Sequence, residues 1–348
     1  MRESLLEVLV DPITKGRLRL EATRTAGGEV VEGSLVSDGG ASYQITGGIP
    51  RFVLTDDERQ KQTEGSFGFK WQQRDSYESD EFIGRYHEWL RGKYGFKTDE
   101  EMRDYFCGKR RTLEVGCGGG LSASVSLSCG DEGQQWIGVD ISRAVDIARE
   151  RLGRMRGAHF VQADILQLPF PDGSFDAIFA EGVLHHTPAT DRAIKSLASL
   201  LAPGGEILFY VYRKKGPIRE FTDDYIRDLV SGLDPRDAWE VLLPLTKLGQ
   251  SLAAVRAEVD VPEDIPYLGI KAGRYDIQRF VYWNFMKLFW NDEYPFATNH
   301  HINFDWYHPR YAHRQTEEEV RGWCGEAGLS IYYLDEQESG FTVRAVKS

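Results

Sequence analysis

Short apolar runs alternate with glycine-rich breaks and helix-compatible stretches through the middle of the chain. Leu113 and Val115 form the first run, in Thr112-Leu-Glu-Val115, and four glycines crowd into residues 116–120 directly after it. A helix-permissive stretch, Leu121 to Leu127, follows, so the segment reads as strand, tight turn and helix start. Further apolar runs at Gln135–Asp140, His159–Asp164 and Phe175–Leu184 read as strands two to four. The Pro-Gly-Gly at 203–205 closes a helix and feeds a fifth strand ending near Tyr210. Near the end, an acid-started helix from Gln315 to Gly328 precedes a hairpin, Ser330–Glu336 and Phe341–Val346. Strands separated by helical stretches predict an α/β fold.

Three segments do not follow this rhythm. Residues 1–55 form a small β-rich module. Residues 56–110 are charged and aromatic, with Phe67, Phe69 and Trp71 close together and large apolar groups at helical spacing from Phe82 to Leu90. Residues 214–314 are too many for a loop. Their first half predicts helices over Ile218–Leu233 and Pro235–Leu252, with Pro244 kinking or dividing the second. Their second half is dense in aromatics, and the apolar spacing at 282, 285, 286 and 289 fits a buried helix stripe. Asn299–Tyr307 shows no helical period and is too polar for plain core, which favours a ligand pocket over a packed subdomain.

The end of each core strand carries candidate chemistry. Gly116, Gly118 and Gly120 let the backbone approach a ligand closely. Glu114, just before them, can fix the loop or a bound amine. Asp140, 24 residues after Gly116, is placed to accept both hydroxyls of a ribose. Asp164 ends the third strand beside Ile165, where a plain helix cap is the competing role. Glycine-rich turns also bind dinucleotides, but this turn lacks a further glycine into the helix.

Together, Glu-Val-Gly-Cys-Gly-Gly-Gly120, Asp140, Ala-Asp164 and Leu-x-Pro-Gly-Gly205 resemble the class I S-adenosylmethionine-dependent methyltransferases, near the ubiquinone/menaquinone C-methyltransferase-like group. The resemblance implies a seven-stranded Rossmann-like sheet built from 111–213 and 315–348, with S-adenosylmethionine as cofactor. It places the methionine end of the cofactor on Gly116, Cys117, Gly118 and Gly120. Ribose falls to Asp140 with Ile141, and adenine to Asp164 and Ile165. Residues 56–110 become a lid, with Phe69 and Trp71 against the sulfonium or simply packed on the core. Glu181 and His185 are candidates for the methionine amine or the acceptor, and His185 is also a candidate base. The alternative for the His185-His186 pair is to order the loop into Pro188.

The insertion 214–314 is expected to bind the acceptor. His301, Asp305 and Tyr307 are its catalytic candidates, and Arg274, His186, Asn303 and His313 its substrate-binding ones, with an acidic or polar small molecule read by Arg274. A metal held by His300, His301, Asp305, His308 and His313 is set aside, because adjacent histidines rarely point at one ion. Residues 1–55 resemble the zinc-ribbon-like activator of tRNA methyltransferases. They contain no cysteine or histidine, however, and Asp11 and Thr14 stand where that family carries ligands, so zinc is excluded there.

Charge and composition narrow the partners. A net charge of −12 argues against nucleic acid or an anionic membrane. No stretch approaches the ~20 apolar residues of a membrane span, and Met-Arg-Glu-Ser is not a signal peptide. The four scattered cysteines read as reduced thiols of a cytoplasmic, bacterial protein. A homo-oligomer is left open. The expected activity is methyl transfer to a small molecule. The alternatives are a same-fold enzyme that cyclises or cleaves the cofactor, and a protein or RNA methyltransferase.

Overall fold

The apolar runs assemble into one sheet whose central strands are buried on both faces. A computed structural model describes residues 1–54, 57–74, 77–123, 127 and 133–348. Its core strands are β5 (Arg111–Val115), β6 (Gln135–Asp140), β7 (Ala158–Ala163), β8 (Phe175–Ala180), β9 (Leu201–Tyr212), β12 (Leu329–Glu336) and β13 (Gly340–Lys347). β5 to β9 run parallel, and β13 lies antiparallel between β9 and β12. Near-continuous burial of β5 to β8 is what helices on both faces require of a parallel sheet. The three residues 203–205 do not stop a helix. They lie inside β9, next to a register shift against β8.

The seven expected strands form part of a longer sheet of 11. The N-terminal strands β1 (Leu18–Ala26), β2 (Glu29–Ser37), β3 (Ser42–Thr46) and β4 (Ile49–Phe52) make an antiparallel meander. β4 then pairs parallel with β7, through Arg51 opposite Gln162 and Phe52 opposite Ala163. The N-terminal segment is therefore an extension of the central sheet, where the sequence predicted a separate module. Its first turn is closed by hydrogen bonds. Asp11 Oδ1 accepts from the amides of Ile13 (2.9 Å) and Thr14 (2.8 Å), and Oδ2 accepts from the Tyr43 hydroxyl (2.9 Å).

The chain turns one way from β5 through β6 to β7, and the other way through β8 and β9. The carboxyl ends of β5 and β8 thus border a topological switch, where open α/β sheets bind ligands. Three helices precede β5: α1 (Glu58–Gln72), α2 (Asp80–Lys93) and α3 (Asp99–Cys107). Around the core lie α4 (Ala144–Leu152), α5 (Thr190–Leu200) and α10 (Glu317–Glu326). The insertion supplies α6 (Pro217–Val230), α7 (Pro235–Val255), α8 (Ile277–Asn284) and α9 (Phe296–Tyr307), with a hairpin of β10 (Glu258–Val261) and β11 (Gly273–Asp276).

Pro244 does not divide α7, which buries Ala238, Leu242, Thr246 and Gly249 along one face. Tertiary packing outweighs the single hydrogen bond that proline removes. The insertion is less purely helical than expected, because of the β10–β11 hairpin. Cys117 and Cys324 are buried free thiols, but Cys107 is held in a disulfide, contrary to the expectation of four reduced cysteines. Separation along the sequence does not stop two cysteines meeting once the chain folds. Cys129 and residues 124–126 of the expected helix start lie outside the described residues. Among those described, no helix is long and apolar enough to cross a membrane.

Candidate active site

β5 delivers the chain into the glycine turn with left-handed backbone at Gly116 (φ 67°) and Gly118 (φ 49°). A Cβ on Gly118 would lie 2.3 Å from the Trp71 ring, so this position needs glycine for both conformation and space. Asp140, at the end of β6, is itself part of the turn. Its Oδ2 accepts from the Gly118 amide (2.9 Å), and its Oδ1 accepts from the Ser142 amide (2.8 Å) and hydroxyl (2.7 Å). Burial pushes its carboxyl upward and the Ser142 and Gly118 donors pull it back. The acid assigned to the ribose therefore also anchors the loop.

Two residues assigned to the cofactor lie behind that loop. Glu114 accepts from the Ser122 hydroxyl and from Trp136 Nε1 (3.0 Å), and burial lifts it to about 7. It fixes the loop and has no face on the cavity. Cys117 packs into an apolar cluster with Ala123, Trp136 and Ala148. Asp164 caps the turn after β7 by accepting from the Leu166 amide (2.9 Å), while its neighbours Ala163 and Ile165 line the cavity.

That cavity measures about 950 Å³. Its floor is Gly116, Val139, Asp140, Ile141, Ala163 and Ile165. α1 contributes Phe67, Lys70 and Trp71, and α2 contributes Tyr86, Trp89 and Lys93. The insertion contributes Tyr282, Trp283, Lys287, His301, Ile302 and Asp305. Core strands, α1, α2 and the insertion thus line one space.

Helical period decides which predicted residues reach it. Phe67 and Trp71 share one face of α1, and Phe69 turns away onto Trp239 (5.9 Å) and Phe304 (5.6 Å). Phe69 is partly buried against the insertion's apolar cluster and does not line the cavity. On α9, Thr298, His301, Ile302 and Asp305 face the cavity, while Asn299, His300, Asn303 and Tyr307 face the insertion's own interior. The helix went unrecognised because both of its faces are polar and both are buried, so no apolar stripe marks the period.

Asn303 accepts from the Phe289 amide (2.7 Å) and donates to Thr246 (3.1 Å), which makes it a strut. Tyr307 donates toward Asp223 Oδ1 (2.8 Å) and the Lys287 carbonyl (2.9 Å), away from any substrate. Tyr307→Phe should therefore lower unfolding stability by about 1–2 kcal/mol and leave cofactor affinity unchanged. A chemical denaturation curve and a calorimetric titration check both halves of that expectation.

Three more assignments fall outside the cavity. Arg274 sits on the exposed β11 and pairs with Glu258, its side chain 72% accessible. His313 lies off the cavity, stacked on Tyr311 (5.6 Å between rings), its imidazole bonded to the backbone of Thr187 and Pro188 and its amide to the His185 carbonyl (2.9 Å). His185 is buried flat against Tyr212, rings 3.6 Å apart, and burial holds its pKa well below the ordinary value. The adjacent histidine is the one that lines the cavity. His186 Nδ1 lies 2.6 Å from the Tyr311 carbonyl, which fixes the proton there and leaves Nε2 as an acceptor. Nε2 is buried without a partner among the described residues. Burial lowers this imidazole to about 4.

Around it stand two ion pairs. Asp305 accepts from Lys70 Nζ (2.9 Å). Burial raises its carboxyl, but Lys70 and then His186 outweigh that and hold it at about 2. Glu181 is clamped by Lys93 and by the Tyr94 hydroxyl (2.6 Å), and burial lowers Lys93 to about 8. His301 faces the same space, lowered by burial to about 3. Lys70, Lys93, Arg279 and Lys287 were not singled out from the sequence. A usable signal existed for Lys287, a lone cation inside the aromatic run Phe285-Met-Lys-Leu-Phe-Trp290. Lys93 looked like an ordinary cation closing a helix.

Residues 113–209 match the family described as Methyltransferase domain. Over 111 residues, 31% of this chain and 23% of its relative, the chain is 37% identical to the probable tRNA methyltransferase 9B of Mus musculus. It is 32% identical over 122 residues to the ubiquinone/menaquinone biosynthesis C-methyltransferase UbiE of Vibrio campbellii, covering 33% of this chain and 47% of that one. The chain thus spans about a quarter to a half of the length of these curated relatives. A solved S-adenosylmethionine-dependent methyltransferase from Aquifex aeolicus is similar at TM-score 0.41 and 13% identity, over 78% of this chain and 99% of that one. Magnesium protoporphyrin IX methyltransferase from Synechocystis PCC 6803 is similar at TM-score 0.42 and 15% identity, over 85% and 100%. The chain carries a class I methyltransferase domain, and the cofactor of that domain is S-adenosylmethionine.

Proposed function

We propose that the protein transfers the methyl group of S-adenosylmethionine to a small molecule held between the core, the lid and the insertion. The observation that carries this is the continuity of the cavity, which is lined by Asp140 and Gly116 at one end and by α9 at the other. About 950 Å³ is at the upper end for a single drug-sized ligand, so cofactor and acceptor can share it. The donor set fits the cofactor. Asp140 keeps one acceptor position, on Oδ2, free for a ribose hydroxyl, Ile141 and Ile165 offer apolar walls for adenine, and Gly116 leaves the methionine end unobstructed by a side chain. Bound there, S-adenosylmethionine supplies an electrophilic methyl on a sulfonium.

The chain's own residues do the rest. Trp71 and Phe67 shield the sulfonium side with aromatic faces, and the lid keeps water out. The Lys93–Glu181 and Lys70–Asp305 pairs fix polar groups at opposite walls. His186 Nε2 takes the proton of the attacking group, and His301 hydrogen-bonds the acceptor. Residues 56–110 act as the lid, 214–314 as the acceptor-binding insertion, and the N-terminal meander as an activator-like packing element without zinc. A tRNA acceptor, suggested by the name of one relative, is disfavoured by the net charge of −12.

The test combines binding and product analysis. S-adenosylhomocysteine should bind with micromolar affinity, and Asp140→Ala should weaken it ~10- to 100-fold, the worth of a charged hydrogen-bonding group. Unchanged affinity in that variant would sink the cofactor site as drawn. Incubation with S-adenosylmethionine alone should release no methylthioadenosine; its release would favour cyclisation or cleavage of the cofactor.

A further inference from the structure

The insertion end of the cavity holds two cations, Lys287 and Arg279, that form no ion pair among the described residues. The other cavity cations are paired: Lys70 with Asp305, Lys93 with Glu181, and Arg213 with Glu336 (2.9 Å). Among the described residues, no carboxylate lies within ion-pair distance of Lys287 or Arg279, though both line the cavity. Lys287 is 93% buried in the sense that only 7% of it is accessible. Its Nζ lies 4.5 Å from the centre of the Trp306 ring. Its backbone is pinned, since its amide donates to Asp223 Oδ1 (3.0 Å) and its carbonyl accepts from Tyr307 (2.9 Å). Arg279 lies against the rings of Tyr282 (5.6 Å) and Phe289 (5.8 Å).

A buried ammonium without an anion is costly, and proteins retain one where a ligand completes it. Burial lowers Lys287 to about 7, with Arg219 and Lys70 adding to the drop and the charges of Asp305 and Asp223 offsetting only part of it. The surrounding walls are aromatic, with Tyr282, Trp283 and Phe289 all reaching the cavity.

We propose that Lys287 and Arg279 form an anion-recognition end of the cavity, and that the acceptor is a small aromatic molecule bearing a carboxylate. The ring lies against Tyr282 and Phe289, the carboxylate meets Lys287, and the group to be methylated points back toward His186. This rests on reading the cavity as the acceptor site. It also revises the place of anion reading, from the exposed Arg274 to the buried Lys287.

The test uses the full chain saturated with S-adenosylhomocysteine, titrated with 4-hydroxycinnamate and with its neutral methyl ester. The acid should bind at least ~10-fold tighter than the ester, because only the acid completes a charge-assisted pair. Lys287→Met should erase that preference, leave S-adenosylhomocysteine affinity within twofold, and raise the melting temperature, since an unpaired buried charge is gone. Arg279→Gln, on a less buried position, should reduce the preference too and serves if the first variant does not fold. Equal binding of acid and ester, no binding of either at millimolar concentration, or a preference that survives in the variants overturns the proposal. Failure of the unmodified protein to bind S-adenosylhomocysteine would instead refute the methyltransferase reading, so the two failures are separable.

Discussion

Between pH 7 and pH 5 the folded protein should lose about 5 kcal/mol of stability, enough to bring it to the edge of unfolding. Four histidines account for most of this, and the Met1 amino group, lowered by burial to about 5, and His185, lowered by burial well below its ordinary value, act in the same direction. His159, His186 and His300 are held at about 4, and His301 at about 3, all by burial from an ordinary value of 6.5. Their folded values are depressed, so the unfolded chain takes up protons first as the pH falls through 6.5. The stability they allow is full above that value and drains away as the pH drops toward about 4. At pH 5 each costs about 2 kcal/mol. Glu114 works the other way. Its buried carboxyl, lifted to about 7, takes up a proton in the folded state before the unfolded one does and returns about 2 kcal/mol. Melting curves at pH 7, 6 and 5 test the balance. A melting temperature that stays level over that range would mean these imidazoles reach water or a hydrogen-bond acceptor in solution.

The burial that produces this acid sensitivity also explains which parts of the molecule were readable from the sequence. The strands β5 to β8 were legible because a doubly covered parallel strand must be an unbroken apolar run, and glycine or an acid marks where it stops. Asp140 was legible for the same reason: it stands where the run ends and the ligand edge begins. The N-terminal meander was misjudged as a separate module because its joint to the core is a parallel pairing of Arg51 and Phe52 with Gln162 and Ala163. That contact spans more than a hundred residues of sequence, and no local pattern encodes it.

The insertion failed for a different reason. Polarity was taken as the sign of a ligand-facing residue, yet Asn303 and Tyr307 spend theirs on internal struts, to Phe289, Thr246 and Asp223. Conversely, Lys287 and Arg279 were passed over amid aromatic neighbours, although a cation in such surroundings is the rarer feature. Composition told that 214–314 holds both core and cavity, and the phase of α9 decided which residue belongs to which. A one-residue difference separates His300, bonded to Thr246 (2.8 Å) inside the insertion, from His301 on the cavity wall. The same holds for His185 and His186: the sequence offers His185 as the candidate base, and His186 is the member of the pair that lines the cavity.

Replacing His186 by Phe should lower turnover by ~10²-fold or more while leaving S-adenosylhomocysteine affinity within about threefold. A nucleophile attacking the methyl must shed its proton, and the acceptor must sit about 3 Å from the methyl in line with the departing sulfur. Nε2 of this cavity-lining residue is a buried acceptor without a partner among the described residues, because the Tyr311 carbonyl holds the proton on Nδ1. The imidazole is neutral at pH 7, its value lowered to about 4 by burial. Asp305 stays ionised beside it, held at about 2, and its charge favours the imidazolium that forms as the proton arrives. Activity should therefore persist down to pH values near the acid limit of the fold and show no ascending limb near 6.5. The variant is to be assayed by transfer of tritiated methyl to an acceptor found by screening aromatic acids, with single-turnover rates separating chemistry from binding. Phe at 186 still packs edge-on against Phe67, whose ring lies 4.8 Å from the imidazole, so the loop should keep its place. Full turnover in the variant would remove His186 from the chemistry, and parallel loss of turnover and cofactor affinity would make it a support for the loop.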